Sequence, residues 1–245
     1  QSNSGLPGPR SNLELGYAFA TSVAGLRLQE WQWEFLLETA ATGAEKAPEN
    51  TPGVYLVFCA LLALGALYGT GLPRPRRRAA LAVIRAAASD SRWRVREACA
   101  MALQRIGEQS PEELRTIVGN WMEEASFLEM RAAAAGLAHP PILDAEMTAF
   151  SLEVSRRILA AVSHAEPAAR RQEPFKVLRQ GMGYALSVFV AHGPAEGFTV
   201  MRKTAAVRDH DLAWIIRENL KKKRLSSEFS REAQQVALIL EEANA

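Results

Sequence analysis

Cysteine is nearly absent. The two in the 245-residue chain, Cys59 and Cys99, sit inside apolar runs with neither metal-ligand spacing nor a disulfide framework around them. They read as buried small hydrophobes in a reducing, cytoplasmic compartment. Aromatic residues make up only 7% of the chain while alanine is abundant, and since aromatic and β-branched residues build strands, the composition points to helices alone. The four histidines, His139, His164, His192 and His210, have no i, i+4 pairing, so neither a metal nor a cofactor is expected. No Gly-rich phosphate loop is present, because Gly181-x-Gly183 falls within a helical pattern, where small residues allow close packing. Serine-nucleophile signatures are missing too. The longest apolar run, Val54 to Tyr68, would span about 22 Å as a helix against a bilayer core of about 30 Å. Gly69 to Pro73 is poor material for extending it. The run reads as a buried central helix rather than a membrane span.

What is present is charge, unevenly placed. The net charge of +2 hides 14 Lys/Arg against 7 Asp/Glu between residues 151 and 225. Such a basic segment suits an anionic partner. Gln1-Ser2-Asn3 resembles a tag remnant, and the residues up to Arg10 read as a mobile, disordered lead-in.

Periodicity and punctuation lay out helices from there. Leu13 to Thr42 gives one or two, with Trp31, Phe35 and Glu38 at i, i+4 and i+7. With Val54 to Tyr68 they form N-terminal capping helices over residues 11–72. Helix pairs follow over 75–225: Pro75 to Ala88 with Arg92 to Ile106, ended by Gly107; Ser110 to Met122, opened by a capping box, with Ser126 to Ala138. Pro140-Pro141 then precede a long helix from Ile142 to His164, a polar segment from Glu166 to Glu173, and a helix from Pro174 to Ala191. Pro194 to Ala206 pairs with Leu212 to Arg224. A C-terminal capping helix covers 226–245.

The most distinctive stretch is D-S-R-W-R-V-R-E from Asp90, which returns as D-L-A-W-I-I-R-E from Asp211. Its offset of 121 residues is about three units of a roughly 40-residue period. In each copy the aspartate reads as an N-cap and Val95 or Ile216 as core, whereas Trp93, Arg96 and Glu97, like Trp214, Arg217 and Glu218, share a helix face. An indole beside a guanidinium and a carboxylate suits either inter-repeat packing or a binding face. Arg96, Arg131, Arg179 and Arg217 each follow an apolar residue at spacings of 35, 48 and 38.

Residues 75–225 thus resemble HEAT repeats, in which an aspartate before the second helix and a Val-Arg on its first turn recur. The runs S-D-S-R-W-R-V-R-E-A-C-A-M-A-L-Q-R-I-G, P-F-K-V-L-R-Q-G-M-G-Y and W-I-I-R-E-N-L-K-K-K-R-L look like a bacterial family of HEAT-repeat proteins without an assigned activity. The resemblance implies an all-α fold, a HEAT/armadillo-like right-handed α-solenoid of antiparallel helix pairs, continuous over 11–245. It implies a non-catalytic scaffold that binds a protein or other macromolecule on its concave face.

A second resemblance is to HEAT-like alkylpurine DNA glycosylases, where a tryptophan stands four residues before the catalytic aspartate. Here Trp93/Glu97 and Trp214/Glu218 have that spacing with glutamate in its place, and W-D-x-x-D is absent. This alternative makes the chain a nucleic-acid binder with Glu97 and Glu218 as candidate catalytic carboxylates. Candidate anion-binding residues are Arg74, Arg76, Arg77 and Arg78, at a helix start where the dipole disfavours cations, together with Arg170 and Arg171. Lys221, Lys222, Lys223 and Arg224 end a helix, where cations are favoured. Arg156, Arg157, Arg202 and Lys203 extend the same basic set. Glu123, Glu124 and Glu129 read as a solvated face.

Overall fold

Val54 to Tyr68 sets the frame of the N-terminal part of the molecule. In the computed structural model, which describes residues 2–244, this run lies in α3 (Pro52–Tyr68), with fourteen of the helix's seventeen residues buried. Around it pack α1 (Leu13–Ala24), α2 (Glu30–Ala40), α4 (Arg74–Ala87) and α5 (Trp93–Gln109). Its apolar character on all sides is that of a helix covered on nearly all sides, Leu56 alone in the run being exposed. No helix among the described residues is long and apolar enough to cross a membrane. Burial pushes the Cys59 thiol up to about 11, so it stays protonated and acts as an apolar side chain.

Further along come α6 (Pro111–Trp121), α7 (Phe127–Leu137), a 3-10 turn (Pro140–Ile142), α8 (Ala145–Ser163) and the single turn α9 (Pro167–Arg170). After them come α10 (Glu173–His192), α11 (Pro194–Ala205), α12 (His210–Leu220), the short α13 (Lys223–Ser226) and α14 (Ser230–Asn244). No strand occurs among the described residues. The chain divides into two compact units, residues 1–114 and 115–245, the division falling within α6.

Within each unit, helices that alternate in sequence, the single turn α9 set aside, lie side by side and run parallel. In unit 1, Asn12 meets Tyr55 and Gly16 meets Phe58, which aligns α1 with α3; Gly65 meets Ala102 and Gly69 meets Gln109, which aligns α3 with α5. A Cβ on Gly65 would stand 2.5 Å from the Ala102 carbonyl oxygen, so the closeness of α3 and α5 depends on that glycine. In unit 2, Phe127 packs edge-on against Phe175 at 5.4 Å and Arg131 lies on Gly181, aligning α7 with α10. Gly183 against Trp214 and Ser187 against Asn219 align α10 with α12. The ion pair of Arg156 with Glu196 ties α8 to α11.

Local chemistry explains most helix ends. Ser126 and Glu129 form a reciprocal capping box on α7, and Asp144 accepts from the Met147 amide at 2.8 Å on α8. Several expected boundaries move for this reason. The helix expected from Ile142 starts at Ala145, because Asp144 caps it and Pro140–Ile142 form a separate 3-10 turn. Gly107 does not end α5. It is buried within it, and the helix runs on to Gln109, whose amide donates to the Ala66 carbonyl. The helix expected to reach Arg224 stops at Leu220, and Lys222 turns extended (ψ 128) before α13.

The segment expected to be a disordered lead-in is folded onto unit 1. Ser4 and Leu6 are buried, Asn12 donates to the Asn3 carbonyl, and Arg94 donates to the Gly8 carbonyl at 2.6 Å. Its backbone groups find partners on α1 and α5, which polar composition alone does not reveal.

Candidate functional site

The two copies of D-x-x-W-x-[VI]-R-E occupy different places in their helices. In the first, Arg92 is the N-cap residue and Trp93 the first residue of α5. In the second, Asp209 is the N-cap, accepting from the Asp211 and Leu212 amides at 2.9 and 3.0 Å, so Trp214 lies one turn deeper in α12. Neither Asp90 nor Asp211 is the N-cap expected from the sequence. Asp90 instead grips Arg92 through the backbone amide, Nε and Nη2 at 2.7–2.8 Å. Burial pushes its carboxyl up, but the Arg92 side chain and amide outweigh that and hold it below the usual carboxylate range. The buried Arg92 guanidinium also donates to the Ala47 and Thr42 carbonyls, closing the loop ahead of α3 onto the start of α5.

Trp93, Arg96 and Glu97 therefore stand over a braced loop. Arg96 donates from Nη1 to the Asp90 and Ser91 carbonyls at 2.8 and 2.9 Å. Trp93 is 47% exposed, with the Arg94 guanidinium 4.5 Å from its ring centre. Arg94 is itself buried and paired with Glu49 at 2.8 Å. Glu97 is half-buried on α5.

The second copy leads to a groove. Asp211 is 2% exposed, accepts a hydrogen bond from Arg170 at 2.8 Å and is ion-paired, without a hydrogen bond, with Arg179 Nε at 3.2 Å. Arg170 also donates to Asp209 and to the Ser163 and Ala165 carbonyls, so it binds the end of α8 to the start of α12. The donors of this candidate anion-binding residue are used inside the fold. Burial raises the Asp209 carboxyl, and the hydrogen bonds from Arg170 and the Leu212 amide overcome this and lower it.

Next to this brace a cavity of about 530 Å³ opens between α10 and α12. Lys176, Arg179, Gln180 and Tyr184 line it from α10, at i, i+3, i+4 and i+8, and Trp214 and Glu218 line it from α12. Arg179 lies over the Trp214 ring at 4.3 Å. The indole presses on Gly183, where a Cβ would come within 2.9 Å of it. Lys222 lines the far end, 5.7 Å from the Tyr184 ring, and Arg224 lies over the same ring at 4.8 Å and donates to its hydroxyl at 3.0 Å. Glu218 is paired with Lys221. Behind the groove the buried Asn219 locks the two helices, donating to the Met182 and Ile215 carbonyls and accepting from the Ser187 amide at 2.7 Å.

Of the sequence-derived candidates, the structure brings Trp214, Glu218 and Lys222 to this groove, with Lys221 and Arg224 attached through Glu218 and Tyr184. Arg217, Arg171 and Lys223 are exposed on unit 2. Arg156 is held by Glu153 and Glu196, and Arg157 by the Met122 carbonyl.

The arginines at the start of α4 separate into two kinds. Arg76 pairs with Glu30 and lies over Trp33, and Arg77 pairs with Glu113 and lies over Tyr68 at 4.4 Å. Internal carboxylates thus account for two cations that the helix dipole disfavours. Arg74 and Arg78 stay exposed.

Lys176, Gln180 and Tyr184 were missed as site residues. Their signal was the polar stripe on α10 facing away from Phe175, Leu178, Met182 and Leu186, all buried. Among the described residues no group of three or more His, Cys, Asp or Glu is placed to hold a metal ion. Cations lie over aromatic rings here, on helices fixed by buried polar contacts. No protein-family model matches the chain, and no curated protein is significantly similar to it.

Proposed function

We propose that the chain is a non-catalytic, cytoplasmic scaffold of HEAT-like helix pairs that binds a protein partner, and that the α10–α12 groove is where the partner docks. Alternating helices that run parallel within each unit support the HEAT-like reading, since helix pairs stacked in register place every second helix beside the last. The observation that carries the docking site is the Arg179–Trp214 stack beside Lys176 and Lys222: three cations and two aromatic rings around an open groove, on backbones pinned by Asn219 and Asp211. Arginine and aromatic residues on rigid elements are the anchors that protein interfaces favour.

A photo-crosslinking residue placed at Gln180, in the groove, and at Ala149, on the exposed side of α8, tests the docking site in cells. Adducts with a macromolecule are expected from position 180 and not from 149, and they should vanish when Lys176 and Lys222 are changed to Glu. Equal adducts from both positions, or none from 180, would refute the assignment.

The same cations favour a second reading, a nucleic-acid binder related to the alkylpurine glycosylases, because Glu218 lies in the groove one turn after Trp214. That reading requires affinity for DNA that falls steeply with salt and base release from alkylated duplex that is abolished by Glu218→Gln.

A further inference from the structure

The groove's own hydrogen-bonding capacity says what kind of protein segment fits it. Arg179 turns its Nε edge to Asp211 and its face to Trp214. Neither its Nη1 nor its Nη2 makes a hydrogen bond among the described residues, and the side chain keeps 24% of its surface exposed. A guanidinium clamped on two sides offers its remaining edge already oriented, and that fork matches a carboxylate in bidentate geometry. Lys176 is exposed one turn earlier on the same face of α10, and Lys222 stands at the other end. Between them sits one anion, Glu218, neutralised by Lys221. A ligand that satisfies the groove therefore carries negative groups at its two ends and none against Glu218.

The aromatic rings narrow the class further. Trp214 carries Arg179 on its face, and Tyr184 carries Arg224 and Lys222. These rings hold cations in place rather than offering free π-faces, and single-stranded nucleic acid is gripped by stacking its bases on such faces. The lined stretch of α10, Lys176 to Tyr184, is about 12 Å long, the reach of about four residues of extended chain.

We infer that the α10–α12 groove binds a short, extended acidic segment of a protein partner, with one carboxylate on the Nη edge of Arg179 and Lys176 and another at Lys222. This rests on the scaffold reading and names the chemistry of its partner.

A fluorescein-labelled hexaglutamate peptide, followed by fluorescence anisotropy at low salt against the full chain, provides the test. The peptide is expected to bind, with about tenfold weaker affinity for Lys176→Glu/Lys222→Glu and less than about twofold change for Arg74→Glu/Arg78→Glu, which alters net charge equally in unit 1. Arg179→Lys, which keeps the charge and removes the fork, is expected to weaken binding about threefold to tenfold. Thermal melts confirm that each variant is folded. Equal losses from the two double variants would reduce the effect to bulk charge and overturn the inference. So would a six-residue oligothymidylate that outbinds hexaglutamate with the same dependence on the groove lysines. Absent peptide binding, with adducts still formed from position 180, sinks the acidic segment and leaves the scaffold standing. Absent binding without adducts removes both.

Discussion

The guanidinium carbon of Arg179 lies 4.3 Å from the centre of the Trp214 ring, while the other charged contact of Arg179 is with Asp211, one turn before that tryptophan. Two positions on α12 thus hold one side chain of α10, and the groove exists because that side chain is held open. Gly183 lets the indole lie close against α10, and Asn219 fastens the helices behind it.

Gly183→Ala tests how tight that contact is. A Cβ would come within 2.9 Å of Trp214 Cζ3 and 3.2 Å of Glu218 Cβ. The rigid indole must tilt, and overpacking of this kind costs about 1–3 kcal/mol. We expect lower stability in urea and altered tryptophan emission. A variant more stable than the parent, through the better helix propensity of alanine, would contradict the packing.

Gly65→Ala strikes harder. The added methyl would meet backbone atoms of Ala102 at 2.5–2.9 Å, and a backbone cannot swing aside as a side chain does. We expect the pair α3 and α5 to separate, costing about 3 kcal/mol or more by the scale of the worst core substitutions. Soluble yield and the thermal midpoint report it.

Arg170→Met leaves Asp211 and Asp209 without their shared cation in a largely buried place. Breaking such a pair costs about 3–5 kcal/mol at neutral pH. The sign with pH follows from Asp209. Its folded carboxyl lies below its unfolded value, so its stabilisation is present above the unfolded pKa of about 3.9 and is lost as pH falls through the folded value. Removing Arg170 leaves burial, which raises the carboxyl, against the Leu212 and Asp211 amides alone, so the carboxyl moves up from its place in the parent. The variant's deficit should therefore shrink as pH falls from 7 towards 4, whereas the parent loses stability only below the ordinary carboxylate range. A deficit that stays constant over that interval would show that Arg170 acts through packing alone.

Asn219→Leu keeps the branching at Cγ and removes three hydrogen bonds. The Ser187 amide and the Met182 carbonyl lose their Asn219 partner within the buried contact of α10 and α12. About 1–3 kcal/mol is expected for each buried group left unsatisfied. Faster amide exchange at Ser187, measured against the rest of α10, would localise the effect.

The helical class was legible from composition, and most helices from punctuation: Pro75, Pro111, Pro174 and Pro194 sit in the first turns that they were expected to open, and α3 has the buried surroundings its apolar run demanded. The candidate site was legible in half. Trp214 and Glu218 stood out because their motif was repeated, yet the repetition itself misled. Identical letters at Asp90 and Asp211 are placed by different neighbours, Arg92 in one case and Arg170 with Arg179 in the other. Tyr184 and Lys176 carried only a weak signal, a polar stripe shared by any solvated helix face.

The sequence by itself determined which residues are helical and which faces of those helices are apolar, because capping, proline and periodicity act over a few neighbouring residues. It also put a surplus of cations into residues 151–225. Only the tertiary structure decided which cations are used up inside the fold. Arg76, Arg77, Arg92 and Arg170 find carboxylates or carbonyls far away in the chain or across a loop, while Arg179, ion-paired through Nε, makes no hydrogen bond from its outer edge over Trp214. A charge's availability depends on what lies within about 4 Å of it, and that distance is set by how helices pack, not by their order.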